Sequence, residues 1–319
     1  MAMLDRKLVR DLRRLWAQGL ALALVIAAGV AVIIIAVGAS RSLEETRAAF
    51  YERYRFASVF ATATRAPLHL NAEIARIPGV AASEPRIVPP VLLDIIGMRE
   101  PATGIAVSIP DHGGQRVNQL YLRQGRLPEP DRRGEVAVVE TFASAHGFEP
   151  GDRFSAIMNG RKRELTIVGI VLSPEYIYAI GPGDLVPDNR RFGVLFMSRE
   201  ALAGVFDMDG AFNNVVATTL LHADTRRVIE AIDAILEPYG GTGAHARKDQ
   251  MSHAFLDSEL TQLDAMARVI PPIFLFVSAF LVNMILSRMI ALEREQIGLL
   301  KAVGYYGLSI GWHYAKLAI

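Results

Sequence analysis

The sequence predicts an α+β membrane protein, in which transmembrane helices extend into stalks that carry an extracytoplasmic split βαβ domain with an inserted, mostly-β subdomain. Three observations support this fold class. Residues 15–40 and 269–287 are apolar runs near the ~20-residue length that crosses a bilayer. Strand–helix patterns stand at both ends of the region between them, as in a split βαβ domain. The middle of that region alternates like strands and contains Asn159-Gly160, a strong hairpin signal.

The composition is that of a membrane protein or of an unusually apolar globular one. Hydrophobic residues make up 51% of the 319 residues. The formal net charge of +1 does not indicate nucleic acid as a partner. The chain has no cysteine, which excludes a disulfide framework and a thiolate site.

Residues 1–14 are predicted to form a basic amphipathic helix on the cytoplasmic side, in contact with membrane lipid. The leucines of this segment recur at helical spacing, and its basic residues outnumber its acidic ones. Residues 15–40 hold no charge and are predicted to be transmembrane helix 1. A cleavable signal peptide is the alternative, but its apolar core would be only about 7–15 residues long, so retention is favoured.

Residues 269–287 are predicted to be transmembrane helix 2. Pro271 and Pro272 stand in its first turn, where a missing N–H matters least, and Ile270 is therefore the expected helix boundary. Asn283 either bonds to a neighbouring helix or is a tolerated polar residue.

The basic residues beside the two spans predict the orientation of the chain. Basic residues precede the first span, and Arg288, Arg294 and Lys301 follow the second, so both flanks are expected in the cytoplasm. Residues 41–268 then lie outside, in the periplasm of a bacterial inner membrane. The apolar residues 307–319 are expected to start transmembrane helix 3 of a longer chain.

The outer region is predicted to begin and end in helices. Residues 41–54 continue the first span as a stalk, and residues 251–266 form the second stalk. Residues 240–250 are expected to be a flexible link between the second stalk and the elements before it.

Strand and helix patterns flank this outer region on both sides. Residues 56–64 are predicted to form a strand, and residues 68–77 a helix stopped by Pro-Gly. Residues 80–96 are predicted to form a strand that a proline pair interrupts. Residues 214–221 form a further strand, after which Asp224 is expected to cap a helix.

Residues 102–206 are predicted to be the β-rich insert. Within it, residues 173–191 are rich in proline and glycine and long for a loop in a compact domain. The apolar and aromatic residues 176–178 of this loop are expected to be exposed. A contact with a partner or cargo is one interpretation, and a plain surface loop is the favoured one.

No motif indicates an enzyme or a metal site. The chain has no phosphate-binding P-loop, and residues 241–246 fit G-x-G-x-x-A but follow a helix rather than a strand. Residues 307–311 fit G-x-S-x-G without a preceding strand. His245 and His253 lack metal-ligand spacing and are expected to be solvated. No catalytic residue, cofactor site or metal site is therefore predicted in this chain.

Residues 288–306 are predicted to form a short cytoplasmic helix between two membrane spans. Apolar and charged positions sort only partly onto separate helix faces. Glu293 and Glu295 come early and Lys301 late, which suits the helix dipole. Gly304 stands where a C-cap glycine is expected. An ordinary juxtamembrane helix resting on headgroups fits the periodicity equally well.

The segment Glu293-Arg-Glu-Gln-Ile-Gly-Leu-Leu-Lys-Ala-Val-Gly304 resembles the coupling-helix signature of the MacB/FtsX-like ABC transporter permeases, which reads R/E-x-E-I-G-x-L-K/R-A-x-G. Gln296 is a departure, because many members run Glu-Ile directly. Gly125-Arg-Leu-Pro128, Glu135-Val136 and Pro150-Gly-Asp152 are similar to the G-R-x-P…E-V…P-G-D order of the MacB-like periplasmic domain.

The resemblance implies a permease subunit that couples ATP hydrolysis in a separate cytoplasmic ATPase to movement of its periplasmic domain, called mechanotransmission. ATP and Mg²⁺ then belong to the ATPase. A second permease protomer, identical or not, and a periplasmic adaptor are further partners. The residues implied in contact with the ATPase are Glu293, Arg294, Glu295, Ile297, Gly298, Lys301, Ala302 and Gly304.

Two alternatives come from other functional classes. One is a non-transporting regulator of an envelope enzyme such as a cell-wall hydrolase. The other is a membrane-anchored ligand sensor, which a third apolar run after the second span disfavours. The sequence does not select a cargo among lipoproteins, lipids, peptides and drugs.

Overall fold

The computed structural model describes residues 16–130 and 132–315, so the predicted basic helix at residues 1–14 lies outside the described residues. The chain divides into two compact units. We call residues Thr46–Ser258 the globular unit, and the described residues up to Glu45 and from Glu259 the helical unit.

The α-helices of the described residues are numbered in chain order. They are α1 (Trp16–Arg53), α2 (Leu70–Ile74), α3 (Glu140–His146), α4 (Arg199–Phe206), α5 (Thr225–Leu236), α6 (Met251–Leu292), α7 (Arg294–Ala302) and α8 (Gly307–Ala315). The strands are β1 (Val59–Pro67), β2 (Val80–Arg86), β3 (Pro90–Asp94), β4 (Ala102–Ile109), β5 (Tyr121–Gly125), β6 (Glu135–Val139), β7 (Arg153–Met158), β8 (Arg161–Leu172), β9 (Phe192–Ser198), β10 (Ala211–Thr219) and β11 (His245–Ala246).

The helical unit contains most of the two longest helices. Within the described residues, Ala23–Arg53 and Met251–Met284 are long and apolar enough to cross a membrane, by length and composition alone. Gly29 of α1 faces Phe274 and Ser278 of α6, each 3.9 Å from the Cβ that a larger residue would add. An alanine at this position would therefore make ordinary van der Waals contact with the facing helix.

The predicted helix boundary at Ile270 is wrong. Helix α6 continues through Pro271 and Pro272 as far as Leu292, so stalk and apolar run are one helix. A residue before proline is disfavoured from helical conformation but not forbidden. The ion pair of Arg268 with Asp264, at 2.6 Å and four residues apart, supports the turn just before the prolines.

One sheet of the globular unit has four strands, in the order β11-β1-β10-β2, and all its pairs are antiparallel. Each of its two chain segments runs strand–helix–strand, through α2 and then through α5. The two helices cover one face, where Ile74 and Ile232 are buried beside Val215. Val216 of β10 packs instead into an aromatic cluster with Phe56 and Phe60. Successive residues of β10 thus face opposite sides, as the pleat requires.

The second sheet has seven strands, in the order β5-β8-β6-β9-β4-β3-β7. Strand β7 also pairs with β8, so six strands from β8 to β7 form a closed ladder around a buried apolar core, and β5 adds to β8 outside it. The predicted hairpin between β7 and β8 is confirmed. Asn159 and Gly160 have φ of 48° and 73°, and both central residues of a type I′ turn need such positive values.

The β-rich lobe starts at Pro90, earlier than the predicted residue 102, because β3 pairs with β4 and β7 rather than extending β2. The predicted strand at residues 80–96 is therefore two strands in two sheets. The lobe is fixed to the four-stranded sheet by Arg199 of α4. Its guanidinium donates to the carbonyl oxygens of Pro85, at 2.7 Å, and Ala211, at 2.9 Å.

The segment predicted as a flexible link, residues 240–250, has defined structure. His245 and Ala246 form the edge strand β11 against β1, and residues Arg247–Asp249 form a 3₁₀ turn. A strand of two residues leaves no periodic pattern, so the sequence did not indicate it.

Candidate functional site

The predicted coupling segment follows α6 directly. Glu293 departs from helical geometry, with φ of −96° and ψ of 12°, and separates α6 from α7. Its carbonyl still accepts the backbone N–H of Ile297 at 3.0 Å. A short second helix thus begins one residue after the long one ends.

Helix α7 ends in a Schellman motif around Gly304. The backbone N–H of Tyr305 donates to the carbonyl of Leu300 at 3.0 Å, and that of Gly304 to Lys301 at 3.1 Å. Gly304 has φ of +94°, which a residue with a side chain rarely adopts. The C-cap that the sequence predicts at this glycine is confirmed.

The eight predicted contact residues lie on or next to this nine-residue helix. Glu293 and Ile297 are half-buried, and the other six are exposed: Arg294, Glu295, Gly298, Lys301, Ala302 and Gly304. A Cβ added at Gly298 would meet no atom within 4 Å. Charged side chains and open space at Gly298 thus lie together on this helix.

Two apolar side chains of the same segment are also uncovered. Leu299 is 67% exposed and Val303 is 72% exposed.

A second site, which the sequence did not predict, is a buried charged cluster in the globular unit. Arg86 of β2 donates from Nη1 to Oε2 of Glu175 at 2.5 Å and from Nη2 to Oε1 at 3.0 Å. Its Nε and Nη2 also donate to Oδ1 of Asn214, at 2.9 and 2.7 Å. All three residues are buried, so both charges are removed from water together.

This cluster holds the ends of the two long helices. Asn118 donates to Oε2 of Glu175 at 2.6 Å, and its own Oδ1 accepts the N–H of Ala57, just beyond α1, at 2.7 Å. Gln250, just before α6, donates to the carbonyl of Glu175 at 2.9 Å. Its side-chain oxygen accepts the N–H of His253 at 2.7 Å, in the first turn of α6.

Burial and charge act in opposite directions on the ionisation of this cluster. Burial lowers the pKa of Arg86, but the Glu175 carboxylate outweighs burial and holds that pKa above its ordinary value. Burial raises the pKa of the nearby Glu84, against the backbone N–H groups of Arg116 and Val117 that it accepts. Arg86 thus keeps its positive charge in the cluster, whereas burial disfavours the anionic form of Glu84.

The expectation of an exposed loop at residues 176–178 is wrong. The Tyr176 ring is half-buried against Phe196, with ring centroids 6.3 Å apart. The Tyr178 ring stands edge-on to Phe255 of α6 at 4.9 Å, and its N–H donates to the Ser252 hydroxyl at 3.0 Å. Tyr178 thus attaches the loop to α6, and Tyr176 attaches it to β9. The local sequence of the loop does not indicate contacts with residues that distant in the chain.

The expectation of solvated histidines is also wrong. The His245 ring stacks on Phe60 with centroids 5.6 Å apart, and Nδ1 of His253 lies 3.1 Å from the Tyr51 hydroxyl. Both side chains are half-buried. Among the described residues, no group of three or more histidine, aspartate or glutamate side chains is placed to hold a metal ion.

No family model matches the chain, and no curated protein does. Among solved structures, the chain is similar to the periplasmic region of MacB from Actinobacillus actinomycetemcomitans, at 10% identity and a TM-score of 0.39, covering 66% of this chain and 95% of that one. It is also similar to the extracellular domain of the ABC-type transporter YknZ from Gram-positive bacteria, at 11% identity and a TM-score of 0.39. That match covers 59% of this chain and 98% of the YknZ domain.

Proposed function

We propose that this chain is a MacB/FtsX-like permease subunit of an ABC transporter, which moves its periplasmic domain by mechanotransmission to export or extract an envelope substrate. The main support is the exposed helix α7. It directly follows a long apolar helix, and its sequence resembles the coupling-helix signature of that family. A separate cytoplasmic ATPase binds ATP and Mg²⁺ and docks on α7. No catalytic step takes place in this chain.

The unbroken helix α6 supports this mechanism. Its 42 residues, at a rise of about 1.5 Å each, make a rod of about 63 Å. A rod transmits displacement only if its ends are held. At one end Glu293 joins it to α7, and at the other Gln250 joins it to the buried Glu175.

The proposal includes the arrangement of the chain in a bacterial inner membrane. Helices α1 and α6 cross the bilayer, α7 lies in the cytoplasm and α8 starts a third span. The globular unit lies in the periplasm, where its four-stranded sheet is the split βαβ domain and its seven-stranded sheet the insert. A second protomer completes the transporter, and a periplasmic adaptor is a candidate partner of the globular unit.

The first test is purification of the full-length protein in detergent, followed by an ATPase assay on the eluate. We expect a soluble P-loop ATPase to co-purify. Gly298→Arg is expected to reduce the recovered ATPase activity about tenfold or more, because a long charged side chain projects from the surface at which the partner docks. Co-purification with unchanged activity in this variant would contradict the role of α7.

Gly204→Arg is the matched control. Gly204 is also a helical glycine, in α4, and an added Cβ there would likewise meet nothing within 4 Å. This variant carries the same change in size and charge on the globular unit and is expected to keep full ATPase activity. Recovery of the chain without any ATPase would reject the permease and favour the membrane-anchored sensor.

A further inference from the structure

A cavity of about 650 Å³ opens in the globular unit, on the sheet face that α2 and α5 leave free. Its lining comes from the end of α1 and the residues that follow it, from β2 and β10, and from the 3₁₀ turn and the first residues of α6. The volume lies within the range of small-molecule sites. No residue of the proposed coupling helix takes part in it.

Arg247 places a half-buried positive charge on this cavity. Its Nε donates to the carbonyl of Ala57 at 2.8 Å and its Nη2 to that of Phe56 at 2.5 Å. The guanidinium carbon lies 4.9 Å from the ring centroid of Phe56 and 5.7 Å from that of Tyr51. Within the described residues, no carboxylate forms an ion pair with Arg247. The two carbonyl groups accept from Nε and Nη2 but carry no net charge, so the guanidinium keeps its positive charge beside the cavity.

Arg55 contributes a second guanidinium from an unusual backbone position. The N–H groups of Arg55 and Phe56 donate to the carbonyls of Glu52 and Tyr51, which makes Arg55 the αL residue of a Schellman motif at the end of α1. Its φ is +49°, and glycine is the residue ordinarily found there. An arginine costs backbone strain at this position, and strained residues cluster at functional sites. The strain therefore indicates that the exposed Arg55 side chain has a role at the cavity.

Hydroxyl groups and small apolar residues complete the lining. The Ser58 hydroxyl accepts the N–H of Thr219 at 3.4 Å, which leaves its own proton available to donate. Ala81 and Ala82 provide an apolar wall. Two further charged residues line the cavity but do not add to its positive charge. Arg47 is paired with Asp257 at 2.7 Å, and Glu52 is an exposed carboxylate.

We propose that this cavity binds a phosphate group, presented by a lipid headgroup or by a soluble phosphate ester. Arg55 and Arg247 supply the charge, because the guanidinium fork matches phosphate oxygens. Ser58, Thr218 and Thr219 supply hydroxyl donors. This site is independent of the proposed ATPase docking, so either proposal stands if the other fails.

The test measures binding to the full-length protein in a neutral detergent at low salt, by titration calorimetry. The probes are inorganic phosphate, dihexanoyl phosphatidylglycerol and dihexanoylglycerol, which lacks the phosphate. Binding of phosphate alone indicates a soluble ester, and binding of the phospholipid at least about tenfold more tightly than phosphate indicates a lipid headgroup. Either result supports the site.

Arg55→Gly is the decisive variant, because it removes the charge and relieves the positive φ at the same position. We expect affinity for the bound probe to fall about tenfold, with an unchanged or higher unfolding temperature. Arg247→Gln is expected to lower affinity further, and Arg55→Gly decides the outcome if that variant does not fold. Arg65→Gln removes an exposed arginine of β1 outside the cavity and is the control that keeps full binding.

Three results would overturn the proposal. They are no binding of either phosphate probe, equal affinity of Arg55→Gly and the wild type, and equal affinity for dihexanoylglycerol and phosphatidylglycerol. The ATPase assay above reads out none of these quantities, so the two proposals are tested separately.

Discussion

Glu175 is the residue through which a buried ion pair and the start of α6 are connected. Its carboxylate is buried with Arg86, and its backbone carbonyl holds Gln250. Such a pair does not add much stability over an apolar pair of the same shape, because desolvation offsets the attraction. Removing one partner is different, since the remaining charge stays buried without compensation.

We therefore predict that Glu175→Gln lowers the free energy of unfolding by about 3–5 kcal/mol, because Arg86 keeps its charge without a counter-ion. The matched control is Asp94→Asn, which removes an exposed carboxylate paired with Lys162 at 2.6 Å. That change is expected to cost less than about 1 kcal/mol. Denaturant unfolding of the full-length protein, followed by circular dichroism, measures both. Equal losses in the two variants would contradict the buried role of Glu175.

The sequence did not reveal this cluster, and the reason is physical. Arg86 and Glu175 stand in ordinary-looking segments, 89 residues apart. Their burial comes from the way the β-rich lobe lies against β2 and β10, which no local periodicity encodes. Gly304 was predictable for the opposite reason, because a C-cap depends on a few neighbouring residues.

At the scale of elements, α7 is a short helix whose end depends on one backbone conformation. Isolated helices of this length are marginal in water. The Schellman bonds of Gly304 and Tyr305 hold its last turn. Substitution of Gly304 is therefore expected to destabilise the last turn, whereas substitution of Gly298 is expected to stabilise the helix.

We predict that Gly304→Ala increases hydrogen exchange of the Tyr305 amide about tenfold, because an alanine at φ of +94° is strained by about 1–2 kcal/mol. Gly298→Ala should slow exchange in the same helix, since alanine favours a helix interior over glycine by about 1 kcal/mol. Exchange mass spectrometry of the full-length protein in detergent measures both. Faster exchange in both variants would indicate that α7 is held by contacts other than its own cap.

Elements with local signals were predicted well, and those set by distant pairing were not. Asp224 caps α5 as expected, by accepting the N–H of Arg226 at 3.1 Å. The turn at Asn159 and Gly160 is also local. Strand β3 was assigned to the wrong sheet, because its pattern is the same whichever partner it pairs with. The boundary at Ile270 failed because the helix on both sides outweighs the preference of a pre-proline residue.

At the scale of the whole molecule, the absence of cysteine makes the proposed membrane topology directly testable. Lys301 is exposed on α7, and Leu221 is 87% exposed on the globular unit. The proposal assigns these two residues to opposite sides of the membrane.

We predict that a membrane-impermeant maleimide labels Leu221→Cys in intact cells and does not label Lys301→Cys. Both variants should react after the inner membrane is permeabilised, which controls for accessibility of the thiol. Gel-shift of the labelled protein reads out the result. Labelling of both variants in intact cells would reject a cytoplasmic α7 between two spans.

The β-rich lobe enters and leaves the four-stranded sheet on neighbouring strands, since Arg86 at the end of β2 is in register with Asn214 of β10. A segment whose two ends meet in this way is a module: another lobe grafted between them would leave the ladder of the host sheet intact. Arg86 restricts the exchange. A grafted lobe that brings no carboxylate to the position of Glu175 would leave Arg86 buried without a counter-ion. The lobe and this arginine would therefore have to be exchanged together.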